Sequence, residues 1–452
     1  MITDQRNIAE DDNMTRGQRY LLFLRKTAAS EAGFLLFAVA AGFVFSYIYQ
    51  IMMGRLLGPE DFGSLGALYA IFLITGLFGQ ALMQAIATNI AEIKARHDET
   101  VAIGSFLKLS IKLAVICLLI TVACLAASVP ITHFFHLDSV VPVVLLVFSI
   151  LASLLLNILL GMQQGLARFR HVGITGYLTP QVLKLVLGVV LVYISWGLLG
   201  AIGVLVVSSG LAIIVGMFIG RGSMNTGFRK AAGQPLKLGP VLFPTLVLAV
   251  FLALPSNIDI MLVKHYFPGT EAGMYTAMAT LGKVVYFLPM AVSFVLLPKA
   301  TEASTLGQDA RPLLFKCLGL VLFLSGLVVL VYWFFPDILI ILFGDSYAGA
   351  LSMVSLYAVA MLFFSLNIML MHYCLAIRQM RMMFLVDLIT LAEVLAIVLQ
   401  HETLAQVIWV IFFGNLTIFT IGLPYLATRK PAVSVRENYA RKDKEYLYLA
   451  QE

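Results

Sequence analysis

MMGRLLGPEDFGSLGAL (52–68) sets a Gly-Pro-acid turn between two apolar runs, and IDIMLVKHYFPGTEAGMYTAM (258–278) repeats the layout 210 residues later. At that one offset Gly63 falls on Gly273, Asp61 on Glu271, Ala67 on Ala277 and Glu92 on Glu302. A second stretch matches at the same offset: Leu156, Asn157, Ile158, Leu160 and Arg168 fall on Leu366, Asn367, Ile368, Leu370 and Arg378. Two separated matches at one offset point to a duplicated chain. A duplicated membrane domain is a transporter signature, because the halves leave a site between them.

Composition sets the solvent. Hydrophobic residues make up 61% of the chain and charged residues 12%, against roughly 25% charged in soluble domains. A helix needs about 20 apolar residues to cross a bilayer. Twelve such runs are expected, at 30–56, 62–90, 101–129, 139–165, 172–195, 198–220, 238–265, 271–299, 312–335, 347–376, 382–399 and 403–427. Most lack the polar face that a buried helix of a soluble protein would show at 3.6-residue spacing. The reading is an integral membrane protein.

Basic residues orient it. With the N-terminus inside, twenty-four of the thirty Lys and Arg fall in cytoplasmic segments, while Arg55 and Lys264 lie near the opposite surface. Lys108, Lys112, Lys184 and Lys283 fall inside spans. Both termini are therefore expected in the cytoplasm, in an inner-membrane protein. The expected organisation is a cytoplasmic segment 1–29, an N-lobe 30–220, a linker 221–237, a C-lobe 238–427 and a cytoplasmic tail 428–452. Residues 16–26 (RGQRYLLFLRK) suit either an interfacial helix on anionic lipid or the entrance to the first span. The polar, acidic start MITDQRNIAEDDNM has no signal-peptide core.

The net charge of +6 follows from this topology, and no nucleic-acid partner is implied. Cys117, Cys124, Cys317 and Cys374 lie in or beside apolar spans without metal-like spacing, so burial is expected and no metal or cofactor. There is no GxxxxGK[ST] for nucleotide phosphates, no HExxH and no GxSxG. Loops this short leave little room for the catalytic groups of a polymerase or ligase. Transport fits better than an enzyme.

Six spans per half is an even number, so both halves enter the membrane in the same direction and the repeats are parallel. GRLLGPEDFGSLGAL (54–68), with its weaker partner KHYFPGTEAGMYTAM (264–278), resembles the polysaccharide-transporter branch of the multidrug/oligosaccharidyl-lipid/polysaccharide exporter superfamily. That branch includes Wzx-like O-antigen flippases, which move undecaprenyl-diphosphate-linked oligosaccharides across the inner membrane. The resemblance covers nearly the whole chain. It implies an all-α, V-shaped, two-lobed bundle of twelve transmembrane helices, with the first, second, seventh and eighth (about 30–90 and 238–299) lining a central cavity.

Polar residues in those spans are the candidate site. Lys283, near the bilayer midplane, must face water, a partner or an anionic ligand. It reads either as a grip on a diphosphate or as half of an ion pair, most simply with Asp259. Arg55 reads as a phosphate or sugar contact or as a snorkelling anchor. Gln80 and Gln84, with Gly76 and Thr88, form a polar row that suits hydroxyl-rich sugars or interhelical hydrogen bonds. Ser256, Asn257 and Asp259 follow Pro255 at an expected kink. Asn257 is a candidate sugar contact. Asp259 is the carboxylate there for proton or sodium coupling, with pairing to Lys283 or Lys264 slightly favoured. Glu393 and Lys184 nearly match across the repeat, so an ion site at Glu393 and an internal pair are both open. Asn157 and Asn367 match and suggest a shared packing bond.

The expected function is flipping of a polyprenyl-diphosphate-linked oligosaccharide for surface polysaccharide synthesis (O-antigen or exopolysaccharide), by alternating access. Membrane lipids, a proton or sodium ion and polysaccharide assembly proteins are the other expected partners. An ion-coupled drug or metabolite antiporter of the same superfamily is the alternative. A polysaccharide polymerase or ligase, a scramblase and an assembly scaffold stand behind it.

Overall fold

The computed structural model describes residues 16–229, 238–239, 242, 245–246, 256–306, 308–377 and 379–428, which are overwhelmingly helical and contain no strand. The main helices are α1 (Arg16–Arg96), α2 (Glu99–Ala126), α3 (Val141–Gly165), α4 (Thr179–Leu191), α5 (Gly197–Arg229), α6 (Ile258–Tyr266), α7 (Gly269–Thr305), α8 (Arg311–Phe334), α9 (Leu351–Ala376), α10 (Met380–Leu399) and α11 (Leu404–Thr428). Within the described residues eight helical segments are long and apolar enough to cross a membrane. Two of these, Ser30–Arg96 and Phe169–Arg221, each hold two expected spans. Ten of the twelve expected spans thus coincide with apolar helices. Of the other two, 271–299 lies on α7 and 238–265 falls mostly outside the described residues. Pro255, Arg378, the second part of the linker (230–237) and the tail from 429 also lie outside them.

The opening motif does the bending. Gly58 takes φ 75° and ψ 174° inside α1, with Pro59 directly after it. Side-chain-bearing residues clash in that region of backbone space, whereas glycine does not. Proline is tolerated at the start of the next helical stretch, where its missing N–H needs no partner. One apolar run thereby becomes two helices joined by a sharp bend. The other double segment breaks the same way, with positive φ at Ser195 and Gly197.

The 210-residue offset governs layout as well as sequence. Val141–Gly165 maps onto Leu351–Ala376 to within a residue, and the short helices Ser128–Phe134 and Ile338–Phe343 begin at equivalent positions. Glu99 and Asp309 are equivalent too, and each accepts from an arginine: Arg168 Nη2 lies 2.6 Å from Glu99 and Arg311 Nη2 lies 2.7 Å from Asp309. Hydrogen bonds from Arg311 hold the Asp309 carboxyl below the usual carboxylate range. Arg311 also donates to the Ala427 carbonyl, which ties the start of α8 to the end of α11.

The chain forms two compact units. One comprises residues 1–49, 72–133 and 137–250; the other comprises 50–71, 134–136 and 251–452. In the first, α3 packs on α5 and α2, and α4 on α5. In the second, α9 packs on α7, α8 and α11, while α6 touches α7 and α10. The bend of α1 sits in the second unit, although the expected lobe boundaries assign it to the first. The reason is close backbone packing. A Cβ built on Gly63 would come within 2.7 Å of the Gly273 nitrogen, and one built on Gly273 would fall on the Pro59 carbonyl. The two glycines that reveal the duplication therefore press against each other. Tyr347 locks this junction by donating to the Gly54 carbonyl at 2.6 Å.

Candidate functional site

The second unit holds a buried acid with an unusual set of partners. Asp259 lies in the first turn of α6, and Tyr275 of α7 and Tyr357 of α9 each donate to its Oδ2 at 2.9 Å. All three residues are 2% exposed or less. The two rings meet edge to face at 5.7 Å. Asp259 Oδ1 is buried, with no hydrogen-bond partner among the described residues. No ion pair to Asp259 occurs among the described residues, so the pairing with Lys283 or Lys264 favoured from sequence is replaced by two phenolic hydrogen bonds. A carboxylate in an apolar interior needs donors, and tyrosine supplies one while filling volume.

Glu393 on α10 is likewise buried, 8% exposed, and close enough to Asp259 for the two charges to act on each other. Its carboxylate lies over Gly414 of α11, where any side chain would collide with it. Lys264 is buried at 6% exposure.

Lys283 is half-buried on α7, and its Nζ donates to Asn257 Oδ1 at 2.9 Å. Asn257 is 5% exposed and donates in turn to Ser256 Oγ at 2.8 Å. The ammonium is thus held by a neutral amide. Arg55 is exposed, with one long contact of 3.4 Å to the Ile341 carbonyl.

In the first unit Gln80, Gln84 and Thr88 all lie on an exposed face of α1, whereas Ala81, Ala85, Ile86 and Asn89 are buried. Thr88 donates to the Gln84 carbonyl, so it caps its own helix and not a neighbour. The row does not pack as interhelical glue within this unit. Lys184 is 3% exposed, donates to Ser46 Oγ at 2.9 Å and sits 5.0 Å from the Tyr49 ring centroid. Ser46 and Tyr49 map at the repeat offset onto Ser256 and Asp259. Equivalent corners of the two units therefore carry a lysine in one and acids in the other.

The matched asparagines do not share one packing bond. Asn157 donates to the Ser153 carbonyl of its own helix, while Asn367 donates across to the Asn415 carbonyl at 2.9 Å. Of the cysteines, Cys117, Cys317 and Cys374 are buried and Cys124 is partly exposed. Sequence reading missed Tyr275 and Tyr357. The available signal was that two tyrosines interrupt runs otherwise built of aliphatic and small residues. Among the described residues no cluster of three or more His, Cys, Asp or Glu is arranged to hold a metal ion.

The family model described as polysaccharide biosynthesis protein matches residues 29–304, more than half of the chain. The chain belongs to that family. Among solved structures it is similar to an inward-facing multidrug resistance MATE family transporter of the MOP superfamily, with a TM-score of 0.71 at 15% identity over 86% of this chain and 94% of that one. It is similar also to the lipid II flippase MurJ in an inward closed conformation, with a TM-score of 0.67 at 13% identity over 87% of this chain and 86% of that one. A MOP superfamily transporter from Pyrococcus furiosus matches with a TM-score of 0.63 at 15% identity, covering 89% and 96%. No curated protein matches the sequence. At these identities the likeness is one of fold: an all-helical membrane transporter fold, with no enzyme among the relatives named.

Proposed function

We propose that this polysaccharide biosynthesis family member is a flippase. It would carry a polyprenyl-diphosphate-linked oligosaccharide from the cytoplasmic to the outer leaflet of the inner membrane by alternating access. Residues 30–220 and 238–427 would be its lobes, with both termini cytoplasmic. The observation that carries the reading is Lys283: a half-buried ammonium on a helix of a membrane transporter, bonded to a neutral amide and to no carboxylate among the described residues. An ammonium held by an amide has no counter-charge of its own, and a diphosphate leaving water needs fixed positive charge. Asn257 presents that ammonium. Gln80 and Gln84 offer exposed neutral hydrogen-bonding groups suited to sugar hydroxyls, and Arg55 an exposed guanidinium for phosphate or a charged sugar. Asp259 and Glu393 are the ion-coupling carboxylates, and polysaccharide assembly proteins are the expected cellular partners. Membership of the polysaccharide biosynthesis family supports this reading against drug antiport.

Deleting the gene in its host should trap a lipid-linked glycan in the inner leaflet and strip a polysaccharide from the surface. The wild-type chain should restore export and Lys283→Ala should not. Unchanged surface polysaccharide and no trapped intermediate in the deletion strain would refute the proposal.

A further inference from the structure

The corner around Lys184 in the first unit is built to hold a cation. The side chain rises from α4 and is 3% exposed, so its ammonium does not snorkel to either surface. Nζ donates to Ser46 Oγ of α1 at 2.9 Å and lies 5.0 Å from the centroid of the Tyr49 ring, one turn further along α1. An aromatic face attracts a cation at that distance. The ring is itself fixed, because it is fully buried and its hydroxyl donates to the Ala201 carbonyl of α5 at 2.6 Å. Gly188, one turn beyond Lys184 on α4, leaves the room that the ring takes: a Cβ built there would come within 2.8 Å of it. Three helices thus converge on one ammonium. Burying a charge in a membrane span is costly, and methionine would fill the same length without that cost. At the repeat offset Ser46 and Tyr49 map onto Ser256 and Asp259, and Lys184 onto Val394. The position of Tyr49 therefore bears a group that attracts cations in both halves, whereas the first half alone places a lysine at position 184 or its equivalent.

We propose, independently of the flippase reading, that Lys184 is a tethered cation: its ammonium fills a cation site of the first unit, and its charge holds the middle of α1 to α4 and α5. The corner then takes no free ion, because the positive charge is part of the chain and cannot leave. The two halves of the duplicated chain differ accordingly, since the valine at 394 supplies no such charge. Lys184→Ala removes three methylenes and the ammonium, which together have the outline of n-propylammonium. A primary alkylammonium of that size is the ligand that the vacated corner accepts.

The test needs no transport substrate. The purified full chain in lipid nanodiscs is unfolded thermally, with tryptophan fluorescence as the readout and choline chloride holding ionic strength constant. Lys184→Met, which keeps length and removes charge, should lower the midpoint by at least about 2 °C. Lys184→Ala should fall as far or further, and n-propylammonium chloride should raise its midpoint saturably towards that of the wild type, as a ligand of the folded state does. Neutral n-propanol should not raise it, and n-propylammonium should leave the wild-type midpoint where it is. A gentler variant covers an alanine chain that fails to insert. Phenylalanine at position 49 is compared with its trifluorinated analogue, which keeps the ring and withdraws the electron density that attracts a cation. Fluorination should lower the midpoint when Lys184 is present and leave it unchanged in the Lys184→Met background. A Lys184→Met chain as stable as wild type, rescue of Lys184→Ala by n-propanol as good as by n-propylammonium, or no effect of fluorination beside Lys184 would overturn the proposal.

Discussion

Lys283 and Asp259 are the two charges most exposed to error in sequence reading, because a lysine and an aspartate in neighbouring spans invite pairing. The structure gives them different hydrogen-bond partners: the lysine donates to Asn257 and the aspartate accepts from two tyrosines. Charge in an apolar run is conspicuous, and both residues were legible for that reason. Asn257 was legible as a polar residue beside the kink, but the pairings were not, since a tyrosine interrupting an aliphatic run gives only a faint signal until three dimensions bring it to the acid. The separation makes the variants informative. Lys283→Ala removes the donor to Asn257 Oδ1 and should cost about 1–3 kcal/mol of stability, leaving an inserted protein whose glycan export is lost. Lys283→Arg should retain part of the export, because charge survives while the compact ammonium does not. Surface glycan measured beside membrane protein level checks both. Full export by Lys283→Ala at normal protein level would remove the lysine from the site.

At the scale of elements, the turn at 58–59 was legible because glycine followed by proline interrupts an apolar run that would otherwise continue as helix. The packing of residues 50–71 into the second unit was not. A repeat tells which segments are homologous, and it is silent on which surface a bent hairpin chooses. Two substitutions read the consequences. Gly58→Ala forces a side chain into backbone space that is nearly glycine-only, at a cost of about 1–3 kcal/mol. Gly273→Ala drives a methyl into the Pro59 carbonyl, where rigid backbone lies on both sides, and should cost at least as much. Thermal unfolding in detergent should show both as lowered midpoints, with Gly76→Ala as a control, since nothing lies within 4 Å of a Cβ built there. A Gly273→Ala protein as stable as the control would mean that the junction is looser than its backbone spacing implies. The glutamine row belongs to this scale as well. Its four-residue spacing was readable, and its exposed placement on α1 required the fold.

For the whole molecule, composition and the distribution of basic residues were enough to specify a polytopic helical membrane protein, and the duplication indicated a transporter. The polysaccharide biosynthesis family and the MATE and MurJ folds agree with that reading. Substrate identity is a finer matter, because one fold carries both drugs and lipid-linked glycans and the difference lies in a few polar side chains. The central claim is that this chain moves a diphosphate-linked glycan lipid and uses Lys283 to hold it. The direct measurement is flipping in proteoliposomes loaded with a polyprenyl-diphosphate oligosaccharide. Translocation is read as the fraction of glycan that becomes accessible to an added enzyme that cannot cross the membrane. The account predicts that wild-type protein raises that fraction well above protein-free liposomes and that Lys283→Ala returns it to their level. Wild-type protein no faster than empty liposomes, or Lys283→Ala as fast as wild type, would contradict it.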